Sequence, residues 1–242
     1  MYKKLMLIII LILSSIAEAY SMRNSFKLKI DSYEYVITAN NINDTFKAIV
    51  DNNIYDMTPL IYASYFGNLP LAKFSIKNGA DIEAKDNNNG RTSLMLASIG
   101  GHLEVVKYLV ENKANINARG KYNITALMCA SGNGHLEVVK YLLEKGANID
   151  AKSNNGLTSL MFASMDGHLE VVKYLVENKA NIDAKNNNGL TSLMYASGNG
   201  HLEVVKYLIE NKANINIRTE DGITALDAAK YYVEKLFGVN EE

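Results

Sequence analysis

The sequence predicts an all-α repeat solenoid of helix-turn-helix units, each 33 residues long and joined by β-turn or hairpin loops. The string GHLEVVKYL begins at Gly101, Gly134, Gly167 and Gly200, at a constant spacing of 33 residues. Its apolar residues recur at three- and four-residue steps, which is the period of one helix face. Glycine and Asn-Gly pairs separate the helical stretches, as turns do. One helix pair cannot bury its own apolar face, so we expect stacked neighbours to share a core.

Composition and charge exclude several classes of function. The 242 residues are 48% hydrophobic and 21% charged, which is typical of a folded protein. The 25 basic and 26 acidic residues give a net charge of −1, so nothing in the charge favours a nucleic acid or an anionic membrane as partner. With Cys129 as the only cysteine, an internal disulfide and a zinc site with two or more Cys ligands are excluded.

Residues 1–19 have the layout of a secretory signal peptide. Lys3 and Lys4 form a positive n-region, residues 5–13 are unbroken apolar, and Ala17-Glu18-Ala19 is a small-x-small cleavage site. The apolar run is shorter than the about 20 residues that span a bilayer. We therefore predict cleavage after Ala19 and export to the periplasm or the medium, with no membrane contact afterwards. An uncleaved membrane anchor is the alternative.

Residues 20–52 are interpreted as an N-terminal segment and a capping half-repeat. Apolar residues alternate with polar ones as in a short strand at Phe26, Leu28 and Ile30. A helix over 33–39 fits equally well. Residues 38–53 resemble half of a unit, and the side chains expected to face the stack are Phe46, Ile49 and Val50.

Five units follow, and each is expected to contain two helices. Their boundaries are 53–85, 86–119, 120–152, 153–185 and 186–218, and the second unit carries one additional residue. In that unit Thr92 is expected to cap the first helix by accepting a backbone N–H bond, and Gly100-Gly101 to end it. Asn-Gly pairs such as Asn155-Gly156 form the exposed turns, because both residues tolerate positive φ.

The second helix of the same unit is predicted from about Leu103 to Asn112. Its apolar residues face the stack, and its charged residues lie on the opposite face. Lys107 and Glu111 are four residues apart and are spaced to form a weak ion pair. Residues 219–242 open a sixth unit and stop after a helix over 230–237, so we interpret them as a truncated C-terminal cap.

These motifs resemble the ankyrin repeat, whose first helix starts T-P-L-H-x-A and whose second carries G-H-L-E-V-V. The closest copy of the first motif runs from Thr58 to Ala63. The resemblance covers 53–218, or about 38–237 with the caps, and together with the signal-peptide pattern of residues 1–19 it identifies the chain as an exported, signal-peptide-bearing member of this family. The chain departs from the family pattern where Ser or Ala replaces Pro and Met replaces His. It departs again where Lys replaces the Gly after the second helix, at Lys113, Lys179 and Lys212. A left-handed Lys costs roughly 1 kcal/mol relative to Gly.

No residue constellation predicts catalysis. His102, His135, His168 and His201 occupy the same place in successive units. Helices stacked about 8–10 Å apart would space them too widely to share a metal ion, so we expect each to bond locally at its second helix. Cys129 stands where other units have Leu96, Phe162 or Tyr195, and is expected to be a small buried filler. We predict no catalytic residue, no cofactor and no metal.

The resemblance implies a concave face that binds protein partners. The units differ from one another mainly at the ends of their first helices and in the turns before them. The candidate binding residues at these places are Tyr65, Phe66, Arg91, Ile99, Gly100, Tyr122, Ile124, Asn133, Leu157, Met165, Asp166, Leu190 and Asn199. Four of them are expected to be exposed apolar anchors, as interface cores favour aromatic residues and Met: Tyr65, Phe66, Ile99 and Met165. The alternative is drift at unconstrained surface positions.

We therefore predict a non-catalytic, monomeric interaction scaffold that acts outside the cytoplasm. It would bind a protein partner, and no nucleic acid, through the concave face and turn tips. The alternative is a periplasmic structural or protective module for one enzyme of the same cell. An enzyme is the least favoured interpretation.

Overall fold

A computed structural model describes residues 25–30, 33–50 and 53–237 of the chain. The predicted signal peptide, residues 1–19, lies outside the described residues. Within these ranges, no helix is long and apolar enough to cross a membrane.

The described chain is a stack of helix pairs, which confirms the all-α repeat solenoid. The first helices of the five units are α1 (Pro59–Phe66), α3 (Ser93–Ile99), α5 (Ala126–Gly132), α7 (Ser159–Met165) and α9 (Ser192–Gly198). The second helices are α2 (Leu69–Lys77), α4 (Leu103–Glu111), α6 (Leu136–Glu144), α8 (Leu169–Glu177) and α10 (Leu202–Glu210). A longer helix, α11 (Ala225–Phe237), follows the last unit and packs on α9. It confirms a C-terminal helix, which begins five residues earlier than predicted.

Threonine caps begin the first helices as predicted. The Thr92 Oγ1 accepts a bond from the Met95 N–H at 3.4 Å, and Thr125 caps α5 in the same way. The chain then turns at glycines with positive φ, such as Gly101 at 68°. A side chain is strained in that conformation, which explains why glycine recurs there.

One apolar core runs through all units, from Ile37 near the N-terminus to Ala225 at the start of α11. In the second to fifth units it contains the Leu of the first helix and at least one Val of the second, and in the first unit Leu60, Leu71 and Ala72 take these places. Met95 is fully buried where the family pattern has His. An apolar side chain at this place adds to the buried surface that holds neighbouring units together.

On the charged face of the second helix, the lysine pairs with a different glutamate from the predicted one. The Lys107 Nζ lies 2.8 Å from a Glu104 carboxylate oxygen, so the predicted pair with Glu111 is wrong. Helical side chains lean toward the N-terminus of their helix, which brings Lys107 over the residue three positions earlier. The same pair recurs in the next three units. These exposed pairs contribute little to stability.

The N-terminal segment is built of strands. Antiparallel partners are β1 (Phe26–Ile30) with β2 (Tyr33–Ile37), and β3 (Phe46–Val50) with β4 (Asn53–Met57). The strand over Phe26–Ile30 is confirmed, and the alternative helix over 33–39 is wrong. The half-repeat predicted at 38–53 has no α-helix in its described residues, only a single 3-10 turn at Ala39–Asn41. Its β-branched stretch instead finds a pairing strand in the residues just before α1.

A loop resembling that of a repeat unit precedes this second hairpin. The Asn43 side chain accepts a bond from the Asp81 N–H at 2.9 Å and donates to the Gly79 carbonyl at 3.3 Å. Asn117 makes the same two bonds, at the same distances, to Asn148 and Gly146 of the following unit. The segment therefore caps the stack with the loop of a unit, and the half-repeat prediction holds for this loop alone.

The lysines that replace glycine after the second helix are left-handed. Their φ angles are 71° at Lys113, 69° at Lys179 and 68° at Lys212. The matching residues of the first and third units are Gly79 and Gly146, at 86° and 89°. The strain foreseen from the sequence is therefore present in three of the five units.

We expect Lys113→Gly to raise the free energy of unfolding by about 1 kcal/mol, because glycine has no Cβ to strain in the left-handed region. Urea unfolding followed by circular dichroism measures the change. Lys145→Gly is the matched control, since Lys145 has a φ of −90° and glycine there removes no strain. Equal effects of the two substitutions would contradict this explanation.

Candidate protein-binding face

The stack curves toward its first helices. Along the chain, successive first helices approach each other more closely than successive second helices do. The row with the shorter spacing must lie on the inside of the curve. The concave face is therefore formed by α1, α3, α5, α7, α9 and α11, with the turn tips along its edge.

The C-terminal ends of the first helices form a line across this face, which we call the helix-end row. It contains Tyr65, Phe66, Ile99, Gly100, Gly132, Asn133, Met165, Asp166, Gly198 and Asn199. Ring nitrogens of the four histidines hold it in place from the following unit. The His102 Nε2–H donates to the Tyr65 carbonyl at 3.0 Å, and the His135 Nε2–H donates to the Ile99 carbonyl at 2.7 Å. The predicted local bonding of the histidines is therefore wrong.

The contact between each histidine and the preceding unit explains the glycine beside it. A Cβ placed on Gly101 would lie 2.5 Å from the His135 Nδ1, and the same clash occurs between Gly134 and His168. At the C-terminal end the ring of Tyr232 packs on Gly200 in place of a histidine. Each Gly-His pair thus joins two units and positions one carbonyl of the helix-end row.

Backbone bonds also join the turn tips. The Lys121 N–H donates to the Asn89 carbonyl, the Asn154 N–H to the Tyr122 carbonyl, and the Asn187 N–H to the Asn155 carbonyl, at 2.8–3.0 Å. This ladder fixes the spacing of the tips along the edge of the concave face.

The turn of the third unit differs from the others. Ser153 and Asn186 close their turns by accepting side-chain bonds from Leu157 and Leu190 N–H groups, whereas Gly120 at the same place has no side chain to do so. The turn instead places Tyr122 and Asn123 in the left-handed region, with φ of 61° and 59°. Tyr122 is 58% exposed. A bulky residue in this conformation is strained.

An aromatic cluster forms the N-terminal part of the concave face. Phe46 of β3 lies 5.5 Å from the Tyr62 ring, and Tyr62 lies 4.5 Å from Phe66, measured between ring centroids. Tyr65 meets Phe66 edge to face at 4.9 Å. Phe66 is 45% exposed. These spacings are those of stacked and edge-on aromatic pairs, so the cluster is a preformed apolar surface.

A small pocket of about 100 Å³ lies beside this cluster. Met57, Ile61 and Leu96 form its apolar wall, and Asp56 and the turn around Asp86 form its polar side. The Arg91 Nε donates to the Asp86 carboxylate at 2.8 Å, and the same carboxyl group accepts two backbone N–H bonds within the turn. The pocket thus combines an apolar wall with a rigid polar rim.

The predicted helix-end residues differ in their exposure. Phe66, Gly100, Asn133, Asp166 and Asn199 are exposed. Tyr65, Ile99 and Met165 are only half-buried, so the expectation of four exposed anchors is correct for Phe66 alone. The reason is packing between units: Ile99, for example, contacts the core. The Asn133 and Asn199 amides donate to backbone carbonyls.

The predicted turn residues also divide into two groups. Tyr122 is exposed, whereas Arg91, Ile124, Leu157 and Leu190 are half-buried. The latter four carry the carbonyls that accept the bonds closing their turns. Their side chains lie at the base of the turn. Of the five predicted turn residues, only Tyr122 projects from the edge of the concave face.

Sequence analysis missed part of the concave face. Phe162 and Tyr195 were expected to occupy the same buried position as Cys129, yet they are half-buried, and so is Tyr62 at the matching place of the first unit. The Tyr195 hydroxyl accepts a bond from the Asn186 amide at 2.8 Å. The available signal was the variation at this repeat position, which holds Tyr, Leu, Cys, Phe and Tyr in successive units. Strictly buried positions vary less between these units.

Cys129 is buried as expected, and burial raises the pKa of its thiol to about 12. A protonated thiol is a poor nucleophile near neutral pH. Among the residues that the structure covers, no three His, Cys, Asp or Glu side chains cluster as metal ligands would.

We expect Gly101→Ala to destabilise the stack by more than the about 1–2 kcal/mol cost of a left-handed alanine, because its methyl group also displaces the His135 ring. In a His135→Ala background the destabilisation should fall to the cost of the left-handed alanine alone. A double-mutant cycle on urea unfolding measures this coupling. The same cost in both backgrounds would refute the Gly-His contact.

Comparison with known proteins agrees with this architecture. No curated protein sequence matches the chain. The family model for ankyrin repeats in three copies matches residues 34–120, 60–153, 116–186, 143–221 and 179–234. These overlapping matches extend from β2 into α11 and cover most of the chain. The chain belongs to the ankyrin repeat family.

Proposed function

We propose that this chain is a non-catalytic scaffold that acts outside the cytoplasm and binds a protein partner through its concave face and turn tips. Ankyrin repeats generally mediate protein-protein interaction, and the family is typically non-catalytic. The proposal adds to this a place of action and a set of contact residues.

The observation that carries the proposal is the pair of exposed aromatic side chains, Phe66 and Tyr122, on one face of a stack that buries most of its apolar residues. Phe66 belongs to the aromatic cluster, and Tyr122 is held in a strained turn. Rigid aromatic side chains on a fixed backbone lose little entropy on binding, and such residues dominate the energy of interfaces. Strain of this kind is concentrated at functional sites.

The character of the partner follows from the lining of the face. Its exposed polar groups are mainly the uncharged amides of Asn133, Asn199 and the asparagine-rich tips. Of the charged groups on this face, Arg91 is bonded to Asp86, and Asp166 is the exposed charge of the helix-end row. This favours a partner surface with apolar and uncharged hydrogen-bonding groups over a strongly charged one.

We expect the double variant Phe66→Ser, Tyr122→Ser to lose its partner, since both side chains are exposed and their loss removes contact area without opening the core. The immobilised chain is incubated with the extracytoplasmic fraction of its own cells, and retained proteins are identified by mass spectrometry. Tyr174→Ser is the control, because Tyr174 is a half-buried tyrosine of the second-helix row on the opposite side of the stack.

One protein retained by the unmodified chain and by the control, and absent with the double variant, is the expected result. Equal retention by all three forms would reject the concave face. Circular dichroism of each form verifies that the helices are intact.

The place of action is tested separately by fractionating the cells and measuring the intact mass of the chain. Lys3, Lys4 and the small-x-small site at Ala19 support export and cleavage. A species that begins at Tyr20 in the periplasm or the medium is expected. A full-length chain in the cytoplasm would refute this part of the proposal.

A further inference from the structure

The last helix of the stack exposes a leucine that every complete unit buries. Leu226 occupies the place of Leu94, Leu127, Leu160 and Leu193, which are 1–2% exposed, yet Leu226 is 64% exposed. The inner units therefore act as internal controls. They show that this position is covered in a complete unit, and that no helix among the described residues covers it on α11.

The exposed leucine belongs to a larger apolar surface at the C-terminal end of the stack. We call this surface the end face, and it consists of Leu202, Val205, Ile209, Ile215, Leu226 and Val233. Five of its members are 47–64% exposed: Leu202, Ile209, Ile215, Leu226 and Val233. Val205 is half-buried, although its counterparts Val106, Val139 and Val172 are fully buried.

A groove of about 530 Å³ opens on the end face between α10 and α11. Val205 and Ile209 line it from α10, and Leu226 and Ala229 line it from α11. In each inner unit the corresponding space is filled by the second helix of the next unit. The groove therefore has the shape and the apolar lining suited to a second helix of this chain's own type.

The chain carries such a helix on the same surface. Residues 226–235 read LDAAKYYVEK, and residues 103–112 of α4 read LEVVKYLVEN, so five of ten positions are identical. Leu226 and Val233 correspond to Leu103 and Val110, which pack against the core of the stack. α11 thus begins as a first helix, capped by Thr224, and continues with the sequence of a second helix.

We propose that two copies of this chain pair through their end faces, with α11 of each copy lying along α10 of the other. A two-fold axis makes this possible because groove and helix stripe lie on one surface, and such isologous contacts close after two copies. Leu226 and Val233 would then meet Leu202, Val205 and Ile209. This pairing replaces the monomer expected from the sequence.

The charges around the end face are compatible with self-association. Arg218 and Asp227 line the groove with opposite signs, and Lys230 and Glu234 follow on α11. The whole chain carries a net charge of −1. Two like faces therefore meet without a block of like charge on either side.

The test compares the chain, purified in the form its own cells hold, with the variant Leu226→Ser, Val233→Ser. Sedimentation equilibrium at several concentrations should give twice the intact mass of the purified chain for the unmodified form and a single-chain mass for the variant. Tyr231→Ser is the control. Tyr231 is 66% exposed but lies about 160° around the helix from Val233 at 100° per residue, so this form should stay paired.

A second measurement locates the contact. Cys129 is buried, so a cysteine introduced at position 233 is the accessible thiol in the described part of the chain. A bifunctional maleimide should crosslink two copies of Val233→Cys, and should not crosslink Tyr231→Cys. A single-chain mass for the unmodified form, a variant that remains paired, or assemblies larger than two would overturn the proposal. A monomer whose position 233 resists maleimide would show instead that the chain covers its own end face.

This inference does not depend on the proposed concave-face partner. The Leu226 and Val233 substitutions leave the helix-end row unchanged, and the Phe66 and Tyr122 substitutions leave the end face unchanged. Loss of pairing and loss of partner capture are therefore measured by different variants.

Discussion

Each unit of this stack is stable only because its neighbours cover the apolar faces that one pair of helices leaves open. The leucines of the first helices and the valines of the second helices, with Leu71 and Ala72 in the first unit, form one core that passes through all units. Burial of this surface is the main favourable term in folding. The polar contacts between units then determine how the units are placed on one another.

Those polar contacts are repeated as regularly as the core. Histidine rings bond to carbonyls of the preceding helix end, side chains in the loops accept N–H bonds from the next unit, and backbone bonds connect the turn tips. Each bond is modest by itself. Their repetition fixes the concave face as a rigid surface, because a unit cannot move without breaking several of them together.

The two ends of the stack differ in how the apolar surface of the terminal unit is covered. At the N-terminus, Asn43 makes the loop bonds of a preceding unit, and Ile37 and Ile42 enter the core. At the C-terminus, α11 covers α9 but leaves Leu226 and its neighbours exposed. An end whose apolar surface is covered gains little from association, whereas an end with exposed apolar side chains is the kind of surface that association buries.

The sequence by itself determined the repeat length, the two helices of every unit, the threonine caps and the left-handed lysines. All of these depend on local spacing and backbone preference, which one unit shares with the next. It also indicated where the units differ, and therefore which positions were candidates for an outward face.

Only the tertiary structure decided which of those positions are exposed. Ile99 and Phe66 stand at neighbouring positions in the pattern, yet packing between units half-buries the first and exposes the second. The bonding partner of each histidine and the open end face could not be predicted for the same reason. Each depends on a residue more than 30 positions away, or on the presence or absence of a neighbouring unit, and local sequence spacing carries no information about either.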